Sequence, residues 1–372
     1  MKTSSCNSNS SFFYKTLFME QALFRIRENG KYGFMNELGE VVIEPQYYEA
    51  ENFYHGFSRV RFNNKLVPLD HLGRLLLKHL FNYVGHFEEA LAKVRLVNNW
   101  GFIDRRGSIA IPIQFDEARD FSEGLAAVKI GEAYGFIDPS GKQLIAPQFE
   151  NVGKFKNDLV AVQKDGLWGY ADKSGDIVIE CQFEQAKNFK EGIAVVENEE
   201  LWGVMDKNGE YIFDIQFEKD EEYALGEFYE GMALIKAKEK FGFINNKGKI
   251  LIKAIYDFAS DFNEGMALVE INGKFGYINN LGQLLILPQY DDAGIFSEGL
   301  AQVNINGKWG FINTSGEMII APQFDDVAMF KNGLSLVSKD GQSGYINSAS
   351  QFVWKEEKNQ KISFININPN LS

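Results

Sequence analysis

The chain has 372 residues, 45% of them hydrophobic and 14% aromatic, with 35 glycines against 8 prolines and a formal net charge of -13. That acidity repels phosphate backbones and no basic stripe offsets it, which argues against nucleic acid as a partner. Cys6 and Cys181 are the two cysteines, so there is neither a disulfide framework nor anything resembling CxxC.

Residues 1–17 are rich in Ser and Asn and lack the apolar stretch of a secretory signal. Thr3, Ser4 and Ser5 precede Cys6 where a lipoprotein would carry a hydrophobic segment. No run is apolar enough to insert in a membrane. The expectation is a flexible leader on a cytoplasmic protein.

From residue 18 to 350 the chain repeats itself. An aromatic-glycine dyad returns at Tyr32-Gly33, Trp100-Gly101, Tyr134-Gly135, Trp168-Gly169, Trp202-Gly203, Phe241-Gly242, Phe275-Gly276 and Trp309-Gly310, at a spacing of thirty-four residues almost throughout. A fixed period of this size means one supersecondary unit copied many times. Three or four residues past each dyad comes Asp/Asn-x-x-Gly, as in Asp138-Pro139-Ser140-Gly141 and Asn313-Thr314-Ser315-Gly316. Asp or Asn there bonds the backbone two residues on, and glycine at the fourth position takes a left-handed conformation, which predicts a type I turn with a glycine bulge between two strands. The motif recurs ten times and locates a unit whose dyad is lost, with Leu66-Val67 in its place but Asp70 and Gly73 retained.

Strands are predicted on both sides of each turn, such as Trp168 to Ala171 and Asp176 to Ile179, and a third from Phe121 to Val128. A corner between the second and third strands reads Pro147-Gln148-Phe149 or Pro322-Gln323-Phe324. Cys181 stands in its proline slot, a framework position with no partner nearby in sequence to make it a nucleophile. A helical thirty-four-residue repeat does not fit, because the turn would break a helix in every copy.

Three places depart from the pattern. The degenerate unit around 53–86 holds or adjoins all four histidines, His55, His71, His79 and His86, in a cluster without diagnostic metal spacing. An insertion at 218–227 carries Asp220, Glu221 and Glu222, the candidates for an interaction site because insertions in repeats fall in surface loops. The last copy has Ser343 for the aromatic and Ser350 for the glycine, and residues 351–372 form a C-terminal cap or tail.

These residues resemble the bacterial WG-repeat (KWG) proteins. Phe296-Ser297-Glu298-Gly299-Leu300-Ala301-Gln302-Val303 and Asn306-Gly307-Lys308-Trp309-Gly310-Phe311-Ile312-Asn313 carry the likeness, which extends over about residues 19 to 350. The resemblance implies a non-catalytic β-repeat array that mediates binding, with no catalytic residues to transfer.

The sequence lacks G-x-S-x-G, GxxxxGK[ST] and dinucleotide GxGxxG motifs. The Asp172-Lys173-Ser174-Gly175-Asp176 turn has its glycine too early for a calcium loop. No enzyme activity, cofactor or metal is therefore expected. The fold expected is all-β, a tandem array of about ten three-stranded units stacked as an open solenoid or superhelix, with a closed propeller-like ring, or two rings, as the alternative. The dyad aromatics are expected in a buried spine. The expected function is a protein-interaction scaffold; the alternative is a carbohydrate- or envelope-binding module that uses exposed members of the aromatic series.

Overall fold

The structure is a computed structural model and describes residues 22–76, 81–198, 201–215, 226–237 and 239–356. Among these residues there is no helix, and the strands form ten small antiparallel sheets in sequence order. A representative sheet comprises Asn151–Val152, Val160–Lys164, Leu167–Ala171 and Ile177–Phe183, each paired with the next.

All ten predicted Asp/Asn turns are present. In the representative unit the Gly175 N–H donates to Asp172 O at 3.0 Å, the Ser174 N–H to Asp172 Oδ1 at 2.9 Å, and Gly175 has φ +89°. The same side-chain bond to the N–H two residues on recurs at Asn36, Asp70, Asp104, Asp138, Asp206, Asn245, Asn279, Asn313 and Asn347. In the last copy Ser350 takes the left-handed position itself, at φ 61°.

The dyad glycine answers a different demand. Trp168 pairs with Phe183 and Tyr170 with Ile179, so Gly169 alone faces the three bulged residues Glu180, Cys181 and Gln182. A Cβ on Gly169 would lie 2.5 Å from Ile179 O and 2.7 Å from Cys181 N. Gly33, Gly101, Gly135, Gly242, Gly276 and Gly310 meet the bulged strand of their own sheet in the same way. Where Val67 occupies this slot, the described part of the third side is Leu75, bridged to Leu69, and Leu76, whose N–H donates to Pro68 O at 2.9 Å.

The third predicted strand begins later than expected. Ser122 and Leu125 close a two-residue turn in which Glu123 (φ 52°) and Gly124 (φ 83°) are both left-handed, the type I′ hairpin geometry, and the strand proper is Ala126–Ile130. Most units also hold a fourth, two-residue strand. Glu117–Ala118 follows the edge strand Ile109–Phe115 of the preceding sheet after a single residue, Asp116, whose N–H already donates to Lys129 O at 3.0 Å. One extended segment therefore leaves one sheet and enters the next without a loop.

Units pack through an aromatic relay. The residue two past the dyad aromatic is fully buried against the Phe that precedes the tight turn of the following unit: Phe102 on Phe121 (5.0 Å between centroids), Phe136 on Phe155 (4.9 Å), Tyr170 on Phe189 (4.7 Å), Tyr277 on Phe296 (4.8 Å) and Phe311 on Phe330 (4.9 Å). Edge-to-face pairs of this kind add about 0.5–1.5 kcal/mol to the area they bury.

Each sheet stays open and separate, stacked in order as the repeat predicts, and the stack curves until its last unit meets its first. Tyr345 lies 5.5 Å from Phe24 and donates its hydroxyl to Arg25 O at 3.1 Å. Phe24, Ile26, Met35, Leu334 and Tyr345 form one buried cluster. The turn glycine Gly39 rests on the backbone of Val353, as Gly175 rests on Ile145 and Gly316 on Ile286 inside the array. The separate, stacked sheets are those of the open array expected from the repeat, and the contact between its first and last units uses the kind of packing found inside it.

Two substitutions separate these roles. Gly169→Ala should destabilise by at least the 1–3 kcal/mol typical of overpacking, because the atoms in its way are backbone, whereas Gly166→Ala, with nothing within 4 Å, should cost only the roughly 1–2 kcal/mol of a left-handed φ. Denaturant midpoints of the two variants check the order. Phe155→Ala should lose about 3–5 kcal/mol, more than Trp168→Ala, since Phe155 is 1% exposed while Trp168 is only half-buried. Equal losses would contradict a spine placed two residues past the dyad.

Candidate functional site

The dyad aromatics sit at the rim of the core. Trp202 and Tyr134 are buried, while Tyr32, Trp100, Trp168, Phe241, Phe275 and Trp309 are half-buried. Several carry a cation on the ring: Arg95 on Trp100 at 5.5 Å, Lys187 on Trp202 at 5.4 Å and Arg119 on Tyr134 at 5.0 Å. Their glycine partners fix the bulge, so the dyad supports the sheet from both sides of one strand. The buried spine expected of these aromatics belongs to Phe34, Phe102, Phe136, Tyr170, Phe243, Tyr277 and Phe311, two residues on.

A carboxylate ladder runs from unit to unit. Glu123 accepts the N–H groups of Asn157 (2.7 Å) and Asp158 (2.9 Å), which are the two left-handed residues of the next unit's tight turn. Glu191 does the same for Glu230 and Gly231 (2.9 and 2.8 Å), Glu264 for Glu298 and Gly299 (2.7 and 2.9 Å), and Glu298 for Asn332 and Gly333 (2.6 and 2.8 Å). Glu89 and Glu230 each reach one such N–H, of Gly124 and Gly265, and Asn157 Oδ1 accepts from Gly192 at 3.1 Å. Two adjacent left-handed residues turn their N–H groups to one side, a small anion nest that the carboxylate fills. The Glu of Ser-Glu-Gly was the available sequence signal, hidden by assigning the segment to a strand. A second acid series, Asp257, Asp291 and Asp325, holds Lys240, Lys274 and Lys308 and accepts the N–H groups of Asn272, Asn306 and Asp340.

The degenerate unit brings two of the four histidines together. Tyr54 stacks on His55 at 4.0 Å and meets His86 edge-on at 5.4 Å, with its hydroxyl 3.2 Å from Glu88 Oε1. His86 faces Glu51 at 3.7 Å, which in turn accepts both Nε (2.7 Å) and Nη2 (2.8 Å) of Arg59. Burial and the neighbouring Arg59 hold the His86 imidazole below its ordinary value. His71 lies in the Asp70–Gly73 turn, away from this pair, and His79 lies outside the described residues. Among the described residues no three His, Cys, Asp or Glu side chains are arranged to hold a metal ion.

Asp220, Glu221 and Glu222 also lie outside the described residues. Beyond them, Glu227, Tyr229, Leu234, Phe241, Phe258 and Asp261 line a largely apolar cavity of about 370 Å³ between two units. Cys181 is half-buried with its Sγ 3.8 Å from Val162 O, and burial pushes its thiol up, the reverse of an activated nucleophile.

A stack of face-packed antiparallel sheets, tied by an extended segment shared between neighbours, defines a tandem β-repeat protein. Nine consecutive segments match the WG containing repeat, at residues 32–65, 69–99, 100–132, 134–168, 168–202, 202–241, 241–275, 275–309 and 309–342, and the chain belongs to this family. Comparison with curated proteins gives no match. Among solved structures, the chain is similar to a crystal structure of the eukaryotic initiation factor, at 13% identity and TM-score 0.54 over 92% of this chain and 97% of that one. Lesser similarity is found to apo AztD from Citrobacter koseri (10% identity, TM-score 0.34, covering 91% and 95%) and to Kluyveromyces lactis Hsv2 (10%, 0.32, covering 60% and 90%). At these identities the first likeness is one of fold. No helix among the described residues is long and apolar enough to cross a membrane.

The ladder has a pH signature. Burial raises the Glu123 carboxyl, but the N–H groups of Asp158 and Asn157 and the ammonium of Lys173 outweigh it and hold it below the usual Glu range. A depressed folded pKa adds stability above the unfolded value, and that stability is lost as pH falls through the folded value. Glu123→Gln should therefore melt earlier than the parent at pH 7, with the gap closing below about pH 4. A gap that persists unchanged in acid would show that the carboxylate charge plays no part.

Proposed function

We propose that the array is a non-enzymatic scaffold that binds a protein partner along the edge strands of its sheets. The observation that carries this reading is a repeated exposed aliphatic row. The first two residues of successive edge strands, Val41 and Val42, Ile250 and Leu251, Leu284 and Leu285, Met318 and Ile319, are exposed large hydrophobics, joined by Leu144 and Val178 at the second position. These positions lie outside the buried core, whose inward residues on the same strands are Ile43, Ile252, Ile286 and Ile320. Single exposed aliphatics are ordinary, but a row kept in register by the repeat offers many weak contacts that add through avidity. Edge strands also present unpaired backbone groups, which a partner strand can use.

The repeat aromatics support the carbohydrate alternative less well. They are half-buried or buried, and Trp100, Trp202 and Tyr134 already lie under Arg or Lys side chains. A sugar platform needs an open ring face.

Photo-crosslinking tests the reading. A benzophenone residue placed at Leu285 or Leu144 should trap one defined partner, and Leu144→Asp with Leu285→Asp should abolish capture at an unchanged melting temperature. Capture equal to that from a label at the exposed turn residue Leu281 would refute the edge-strand surface, and saturable glycan binding lost in Trp309→Ala would favour the alternative.

A further inference from the structure

Equivalent glycines show how the junctions between units are filled. Gly153, Gly226 and Gly294 each donate the N–H across their sheet, to the carbonyls of Ala161, Leu234 and Gln302. Asn188 Oδ1 lies against Gly153, and the Gln302 amide lies against Gly294. At Gly226 the neighbour is Leu234, with its Cβ 3.4 Å from the place a glycine Cβ would take. Beside Gly226, where the other two copies seat a polar side chain, lies the largely apolar cavity of about 370 Å³.

Register gives the place of Asn188 to Asp261. Asp261 precedes the relay residue Phe262 as Asn188 precedes Phe189 and Asp120 precedes Phe121. Asn188 Oδ1 accepts the N–H of Lys154 at 3.2 Å, and Asp120 accepts from Lys93 Nζ at 3.1 Å. Asp261 lines the cavity, yet among the described residues no hydrogen bond or ion pair reaches its carboxylate. The other charges around it are matched, Lys190 with Glu227 at 3.5 Å and Lys236 with Glu239 at 3.0 Å. Burial raises the Asp261 carboxyl above the ordinary Asp value, with Lys190 acting against the rise and Glu227 adding to it. One carboxylate charge is left facing an apolar space.

The walls of that space suit a cation. Phe258 opens its two-residue strand, where other sheets have Glu117, Asn151, Gln185, Asp292 and Asp326. Its ring is partly exposed and stands 6.3 Å from Phe241 and 6.2 Å from Phe275. At the rim of the same cavity the Lys190 ammonium already rests 2.8 Å from the centre of the Tyr229 ring. Aromatic faces attract ammonium groups, the more so where water is excluded.

We propose that this cavity binds a small organic monocation, an ammonium group on an apolar body, with the charge at Asp261 and the body against Phe258 and Leu234. Its volume is that of a small-molecule site. A neutral ligand of the same shape would strip water from the carboxylate and give it no partner, and an anion would meet it with like charge. A monocation satisfies both the apolar walls and the single unmatched charge.

Calorimetric titration of the full chain with phenethylammonium tests this, with phenethyl alcohol as the neutral counterpart. The ammonium should bind saturably and at least tenfold more tightly than the alcohol. Asp261→Asn, which installs the residue that Asn188 supplies at this place, should erase that preference. Phe258→Asn, which copies Asn151, should weaken the ammonium at least tenfold while the melting temperature stays that of the parent. No saturable heat with the ammonium, equal affinity for the two probes, a preference that survives Asp261→Asn, or unchanged binding in Phe258→Asn would each overturn the proposal.

Discussion

No unit of this protein can bury its own central aromatic. Tyr170 is fully buried only because Phe189 of the next unit closes over it, and the same dependence holds from Phe34 on Phe53 to Phe311 on Phe330. A chain built this way has a core that exists between units and not within them, so its stability is a sum of junctions. Such an array must either cap its ends with altered units or bring the ends together. Here Tyr345 meets Phe24, and the final junction is made from the same parts as the others.

The strand shared between neighbouring sheets enforces this further. Because Asp116 bonds Lys129 immediately after Phe115 has paired with Trp100, the backbone gives two units no slack to move apart. The carboxylate ladder then fixes their angle on another edge, since Glu123 must reach two N–H groups of one turn at once. Bonds from an ionised carboxylate to backbone N–H groups are stronger than neutral ones, and repetition from unit to unit makes a modest term significant. Curvature is thus set by three repeated contacts, none of which involves the exposed aliphatic row.

Local chemistry explains what could be read from the sequence and what could not. The Asp/Asn-x-x-Gly turn was legible at every copy because its side-chain bond and left-handed glycine are decided within five residues. The dyad was legible as a repeat but misleading as a core, since Trp168 is large and Tyr170 is the residue that disappears from solvent. Alternation put both on one face, and only the depth of the neighbouring unit separates rim from interior. Ser-Glu-Gly was missed as a turn because Glu is a rare choice for a left-handed φ. Its carboxylate serves the next unit, about thirty-four residues away, and no local rule reports that. The expected framework role for Cys181 agrees with its half-buried place in the bulge, whereas among the described residues His55 and His86 share Tyr54 and His71 does not join them.

The degenerate unit shows how tightly these parts are coupled. With Val67 in place of glycine, its hairpin Phe57–Phe62 and Lys65–Asp70 still pairs on its far side through Leu69 and Leu75. The turn at Asp70 and the packing of Phe53 on Phe34 survive, while Pro68 stands at the relay position and Phe57 packs on Phe87 of the next unit in its place, at 4.1 Å. On the opposite edge, beside Phe57–Phe62, the surface is polar: Arg59 is clamped by Glu51, with His86 and Tyr54 beside it. Each unit is held by its neighbours through the shared strand, the relay and the carboxylate ladder, so a change in one unit's sequence leaves the other junctions intact. The array can therefore present a different surface at one unit while the rest keeps its register.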